Sequence, residues 1–314
     1  MTSSSRSVPR GGPGAAVSRR GVILFAAMSV IWGIPYLLIK VALQDLTPSF
    51  LVFARTAIGA AILLPLALRR GAVGPALAHW RPLAAFATLE IALPWFLVGD
   101  AERHMPSSLA GLLIATVPLI GSLVAWRLGD ATAVTGVRLV GLAVGMVGVA
   151  AVVGLDLGSG TTLLGVGEIA LVSVGYATAP IIAARRLTEV PTLGVIAVSL
   201  AAVAIVYSPA AVLARPHAMP RPSVLASVMA LAVVCTALAF LLFFALIAEI
   251  GPVRATVITF VNPAVAVTLG VIVLDEHFTT GIAIGFPLVL LGSWLATRRP
   301  VLVPAVEASV QAPT

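Results

Sequence analysis

The chain has 314 residues, 60% of them hydrophobic and 10% charged, with nineteen Lys and Arg against twelve Asp and Glu. That composition is far from a soluble domain, and no stretch is able to fold alone in water. Cys235 is the only cysteine, which excludes an intrachain disulfide and a thiolate metal site.

Residues 1–20 are rich in Ser, Gly, Pro and Arg and contain no acid, so a disordered tail is expected there. The apolar run that follows is too long for a signal-peptide core and reads as a retained first span. A bilayer core about 30 Å thick needs ~20 apolar residues per helix. Ten such runs follow, near 21–43, 49–68, 82–100, 107–127, 136–155, 163–184, 192–213, 223–248, 252–274 and 281–297. Residues 299–314 read as a second short tail. The fold class is therefore an all-α polytopic membrane protein with ten transmembrane helices.

The net charge of +7 does not require a nucleic acid. With both termini placed in the cytoplasm, Arg6, Arg10, Arg19, Arg20, Arg69, Arg70, Arg81, Arg127, Arg138, Arg185, Arg186, Arg254, Arg298 and Arg299 all lie inside. Only Arg103, Arg215 and Arg221 fall in outer loops, as the positive-inside rule expects of a plasma-membrane protein.

The chain also repeats itself. Between Ser107 and Ala151 it runs through Pro118, Asp130, Gly136, Gly141 and Gly148, and between Pro252 and Leu295 through Pro263, Asp275–Glu276, Gly281, Gly285 and Gly292. The spacing from Pro118 to Asp130 equals that from Pro263 to Asp275. Two units follow, 21–155 and 163–298, each of five helices. An odd number per unit sends the second copy through the membrane in the opposite sense, giving an inverted repeat. Gly141, Gly145 and Gly148 fit close helix packing inside the bundle, or a dimer face; a monomer is the simpler expectation.

Ionisable groups within spans cost ~2.5–3.5 kcal/mol on insertion scales and so call for a reason. Lys40 lies near the outer end of helix one, Arg55 about two turns into helix two, and Glu90 deepest, in helix three. A pairing of Glu90 with Arg55 or Lys40 would offset two costs, either as a static strut or within a proton relay. Pro94, four residues after Glu90, is expected to disturb the helix there. Trp32, Tyr36 and Lys40 fall on one face at i, i+4, i+8, with Pro35 between them. Asp100 and Glu102 sit in the outer loop near the ends of Lys40 and Arg55, as a solvated turn or as an outer gate. No phosphate-binding loop, zinc-protease motif or serine elbow is present, so neither an ATPase, a cofactor nor a metal is expected.

The pattern Trp32-Gly33…Lys40…Pro48…Arg55, with Ser107-Ser108-Leu109-Ala110-Gly111…Pro118…Leu128-Gly129-Asp130, resembles the EamA-like repeat of the drug/metabolite transporter superfamily. Gly251-Pro252…Asn262-Pro263…Leu274-Asp275-Glu276 resembles it again, with Asp275 where a glycine is usual. Thr236-Ala237-Leu238-Ala239-Phe240 is similar to its eighth helix, while helix six departs, carrying Tyr176 where the first half has tryptophan. The resemblance implies a carrier working without ATP, with Trp32, Tyr36, Glu90, Trp95, Tyr176, Thr236 and Asn262 as cavity candidates. Lys40, Arg55, Asp100 and Glu102 become candidates for gating or charge balance. The expected partners are a small-molecule substrate and the bilayer, and the expected function is export or exchange of metabolites, amino acids or drugs, either coupled to protons or facilitative without them. A membrane-embedded enzyme on a lipid-linked substrate, or a scaffold or sensor, are the alternatives.

Overall fold

A computed structural model describes residues 18–129, 136–156, 161–255 and 257–297. Its long helices are α1 (Arg19–Ala42), α2 (Pro48–Arg69), α3 (Trp80–Ala101), α4 (Ser107–Arg127), α5 (Val137–Asp156), α6 (Leu163–Arg186), α7 (Thr192–Leu213), α8 (Pro222–Ile250), α9 (Ile258–Val273) and α10 (Thr280–Thr297). All but α9 are long and apolar enough to span a bilayer by themselves. The one-turn segment Pro252–Ala255 precedes α9, so the ninth expected span is broken rather than continuous. Asp130, the tail 1–17 and Arg298–Arg299 lie outside the described residues.

The helices pair in a pattern that exposes the repeat. Helix α2 packs on α7, α4 on α9 and α5 on α10, each helix meeting its own counterpart. The α1–α8 contact is mirrored by that of α6 with α3. The α5–α10 contact is the most intimate, because glycines remove the side chains between the backbones. A Cβ on Gly141 would stand 2.7 Å from the Gly292 carbonyl, and one on Gly285 2.7 Å from that of Gly148. The glycine stripes thus serve packing within one chain, where lipid offers no hydrophobic drive for association.

Breaks in the helices match in part: α3 and α8 carry π turns at equivalent places, whereas α1 is interrupted and its counterpart α6 is continuous from Leu163 to Arg186. In α1 the helical bonding lapses over residues 32–34, and Pro35 starts the second segment, Pro35–Ala42. A π turn occupies Thr88–Ala92 of α3, just before Pro94. Another occupies Ala230–Leu238 of α8. The spacing that carries Pro118 onto Pro263 also carries the first π turn into the second. Such bulges free backbone carbonyls inside the bilayer; that of Ala92 is satisfied by the Tyr207 hydroxyl at 3.0 Å.

Core packing differs between the two ends. At the far face, where Lys40 lies, one buried cluster draws residues from every helix except α7, including Ile39, Leu51, Val98, Met105, Leu109 and Ile282. Toward the face where α1 begins, the core divides. One cluster, with Leu63, Phe86 and Leu193, joins α2, α3 and α7; the other, with Met28, Leu246 and Ile258, joins α1, α8 and α9. The buried core is therefore continuous at the far face and divided at the near one.

Candidate functional site

Where the divided half of the core meets the continuous one, polar and aromatic side chains from five helices converge. Arg55 of α2 is 7% exposed. Its Nε donates to Thr236 Oγ1 of α8 at 2.9 Å, and its guanidinium carbon lies 3.6 Å from the centre of the Trp95 ring of α3. Thr236 in turn donates to the Leu231 carbonyl, five residues back, at 2.8 Å. That bond exists because the π turn opens the helix there. Tyr36 of α1 and Tyr176 of α6 lie within electrostatic reach of Arg55, and Tyr176 also of Glu90 and Trp95. Tyr36, Glu90, Trp95 and Tyr176 are only half-buried despite their depth, so open space adjoins them.

Five of the expected residues therefore come together: Tyr36, Arg55, Trp95, Tyr176 and Thr236. Glu90 stands beside Tyr176, half-buried, with its Oε2 sealed from solvent and without a hydrogen-bond partner. It forms no ion pair with Arg55 or Lys40 among the described residues. The reason is geometric: Trp95 occupies the face of Arg55, and Lys40 points to the far face. Trp32 packs instead against Phe240 and Phe243 of α8, at 6.3 and 4.7 Å between ring centres. The lapse after Ile31 separates it from Tyr36, so Trp32, Tyr36 and Lys40 do not form one continuous face. Asn262 ties two helices: oriented to satisfy its amide, it donates to Ser29 O at 2.9 Å and Ile258 O at 3.0 Å.

The far face is closed by a second polar group. Lys40 donates to the backbone carbonyls of Glu102 and Met105, the latter at 2.9 Å. The Glu102 side chain is wholly buried and neither carboxylate oxygen has a partner. Burial holds its carboxyl well above the usual carboxylate range; the Lys40 ammonium opposes this, and Glu276 adds to it. Asp100 pairs locally with Arg103 at 3.0 Å rather than with Lys40 or Arg55, and Arg55 lies below this layer.

Glu276 is the residue that sequence reasoning undervalued. Its carboxylate accepts from the amides of Ser107 at 2.7 Å and Ser108 at 2.9 Å, the first turn of α4. A charge placed there neutralises unpaired amides and the positive end of the helix. The signal was present in the recurrence of Leu128-Gly129-Asp130 as Leu274-Asp275-Glu276. Gly129 and Asp275 share a left-handed backbone, φ +101° and +54°.

A profile of the EamA-like transporter family matches residues 19–154 and again 163–298. The chain belongs to the EamA-like transporter family. Its two matched units coincide with the two five-helix halves seen in the packing, so this is a multi-pass membrane transporter of the drug/metabolite type. A search of the curated proteins returns no match. A crystal structure, described simply as that of a protein, superposes on this EamA-like chain with a TM-score of 0.61. It covers 88% of this chain and 96% of the other at 20% identity, a likeness of fold.

The described residues contain no cluster of three or more His, Cys, Asp or Glu able to hold a metal ion. A surface groove of about 770 Å³ lies apart from the central site. It runs between α2 and the α7–α8 connection, past Phe50, Ile58 and Met219, and is almost wholly apolar.

Proposed function

We propose that this chain is a secondary transporter that moves a small metabolite by alternating access. The observation that carries the proposal is the contrast between the far half, sealed by one core, and the near half, parted into two, with Arg55, Trp95, Tyr36, Tyr176 and Thr236 at the boundary. Substrate enters between α1, α8 and α9 on one side and α2, α3 and α7 on the other. Inverted repeats supply the return state, because the second unit is able to adopt the arrangement of the first and the first that of the second. Opening the far face then requires Lys40 to leave its two carbonyls and Glu276 to move with the start of α4.

The basic residues favour placing the near face in the cytoplasm of a plasma membrane. In that orientation the site is loaded from inside, which suits export or exchange of metabolites, amino acids or drugs. Glu90, an acid without a hydrogen bond in the parted half, is the group to which we assign proton coupling. An enzyme on a lipid-linked substrate has no support in the site, which offers neither a nucleophile–base pair nor paired acids.

The test is counterflow in proteoliposomes loaded with a broad metabolite panel, with and without a pH gradient. Exchange of at least one labelled solute supports transport. Loss of the gradient's effect in Glu90→Gln, with exchange retained, supports coupling at Glu90. An unaltered gradient response in that variant removes Glu90 from the mechanism, and absence of all exchange favours a scaffold or sensor.

A further inference from the structure

Among the charged groups described, Arg55 has no counter-charge and yet is held rigidly. Arg221 has Asp45 at 2.7 Å, Arg103 has Asp100 at 3.0 Å, and Lys40 has two carbonyls. Arg55, by contrast, has one hydroxyl and one indole. It lies seven residues into α2, about 10 Å deep at 1.5 Å per residue. No carboxylate lies within ion-pair reach of it among the described residues, and the N–H groups of its two Nη atoms have no acceptor there.

The two contacts that do exist fix its attitude. Trp95 covers one flat face of the guanidinium. Thr236 takes the Nε edge, and because its own proton is committed to Leu231 O, it is bound to act as an acceptor. What remains free is the edge formed by the two Nη atoms, the fork that matches two coplanar oxygens. A single guanidinium suits a single negative charge. No further Lys or Arg joins the cluster among the described residues, so a dianionic phosphate would keep one charge unbalanced in an apolar setting. Glu90, close behind Tyr176, adds to that penalty.

We infer that the central site takes a substrate bearing a carboxylate, received on the free edge of Arg55 while Trp95, Tyr36 and Tyr176 flank the adjoining part of the molecule. This rests on the transporter reading for its biological sense, though binding is measurable apart from transport. It also moves Arg55 from gating or charge balance, its expected roles, to recognition.

The experiment uses the full chain, purified in detergent, and three matched probe pairs: benzoate and benzamide, phenylacetate and phenylacetamide, hexanoate and hexanamide. Phenyl phosphate is added as a dianionic competitor. Binding is read by tryptophan fluorescence and by thermal shift. At least one carboxylate is expected to bind tenfold or more tightly than its amide. Arg55→Gln is expected to erase that preference. Should that variant fail to fold, Arg55→Lys, which keeps the charge but loses the fork, is expected to reduce the preference threefold or more. Amides binding as well as acids, phenyl phosphate binding tightest, a preference untouched in both variants, or no binding of any carboxylate would each overturn the inference. Counterflow with the same probes separates the two claims. Carboxylate binding without flux contradicts the transporter reading alone, and flux confined to the neutral amides contradicts the carboxylate alone.

Discussion

The two repeats share some of their backbone irregularities and divide their polar chemistry. Helices α3 and α8 both carry a π turn at corresponding places, and α4 and α9 are both followed by a left-handed residue. Yet Lys40, Arg55, Glu90, Trp95 and Glu102 belong to the first repeat, and the second contributes Tyr176, Thr236 and Glu276 to the polar layers. Backbone devices set how the halves move, and inversion demands them in both. Recognition needs only one copy of each side chain, so the halves have been free to specialise. Substitutions in backbone devices should therefore act alike in both repeats, and those in side-chain devices should not.

The largest effect is expected where the repeats touch most closely. Gly148→Leu and Gly292→Leu, at equivalent places in the two repeats, should each lower stability by roughly 3 kcal/mol through overpacking, since each glycine faces backbone of the other helix. Thermal unfolding in detergent checks this, and a large inequality between the two variants would break the symmetry. Glu276→Gln comes next. It keeps the shape but removes the charge from the start of α4, at a cost of about 1–2 kcal/mol, read in the same assay.

The buried Glu102 carboxyl predicts a pH dependence with a definite sign. Its value is raised in the closed structure by burial, so the closed form holds a proton that an unfolded or hydrated form releases. Stability of the closed form is then greatest in acid and declines as pH rises above the ordinary carboxylate range. Glu102→Gln should flatten that decline above the ordinary carboxylate range, measured as thermal midpoint against pH. A slope that survives the substitution would assign the effect to another group. Smaller still is Asp275→Gly. The left-handed φ of +54° is strained for a residue with a side chain, so glycine should add about 0.5–1 kcal/mol. The contrast with Gly129, which has no such strain to relieve, sharpens the comparison.

Much of the fold was legible because the bilayer forces it to be. Runs of ~20 apolar residues have no other stable form in hydrocarbon, and the Pro and Gly spacings betrayed the duplication. What escaped was local. The π turn before Pro94 was foreseen only as a disturbance, and that in Ala230–Leu238 not at all, since no proline marks it. The ninth span appeared continuous because apolar composition does not report where one helix ends and the next begins.

Of the site, the residue types were readable and the partners were not. Lys40, Arg55, Glu90 and Glu102 stood out as costly to bury. An acid–base pairing was the natural expectation, yet Arg55 chose a ring and a hydroxyl, and Lys40 chose carbonyls. Helix rotation, which no single-sequence pattern in an all-apolar helix fixes, decided this. Trp32 and Asn262 illustrate the same point: both are polar or amphipathic at membrane depth, and both are used to join helices.

The central claim is that one face is closed while the other gives access to the Arg55 layer. A single cysteine in place of Tyr176, on a Cys235→Ala background, probes it directly in vesicles of known orientation. A membrane-impermeant maleimide should label that cysteine from the face where α1 begins and not from the Lys40 face. Lys40→Ala, which releases the far closure, should raise labelling from the Lys40 face at least severalfold. Labelling from the Lys40 face alone in the unaltered background, or from neither face in both, would contradict the account.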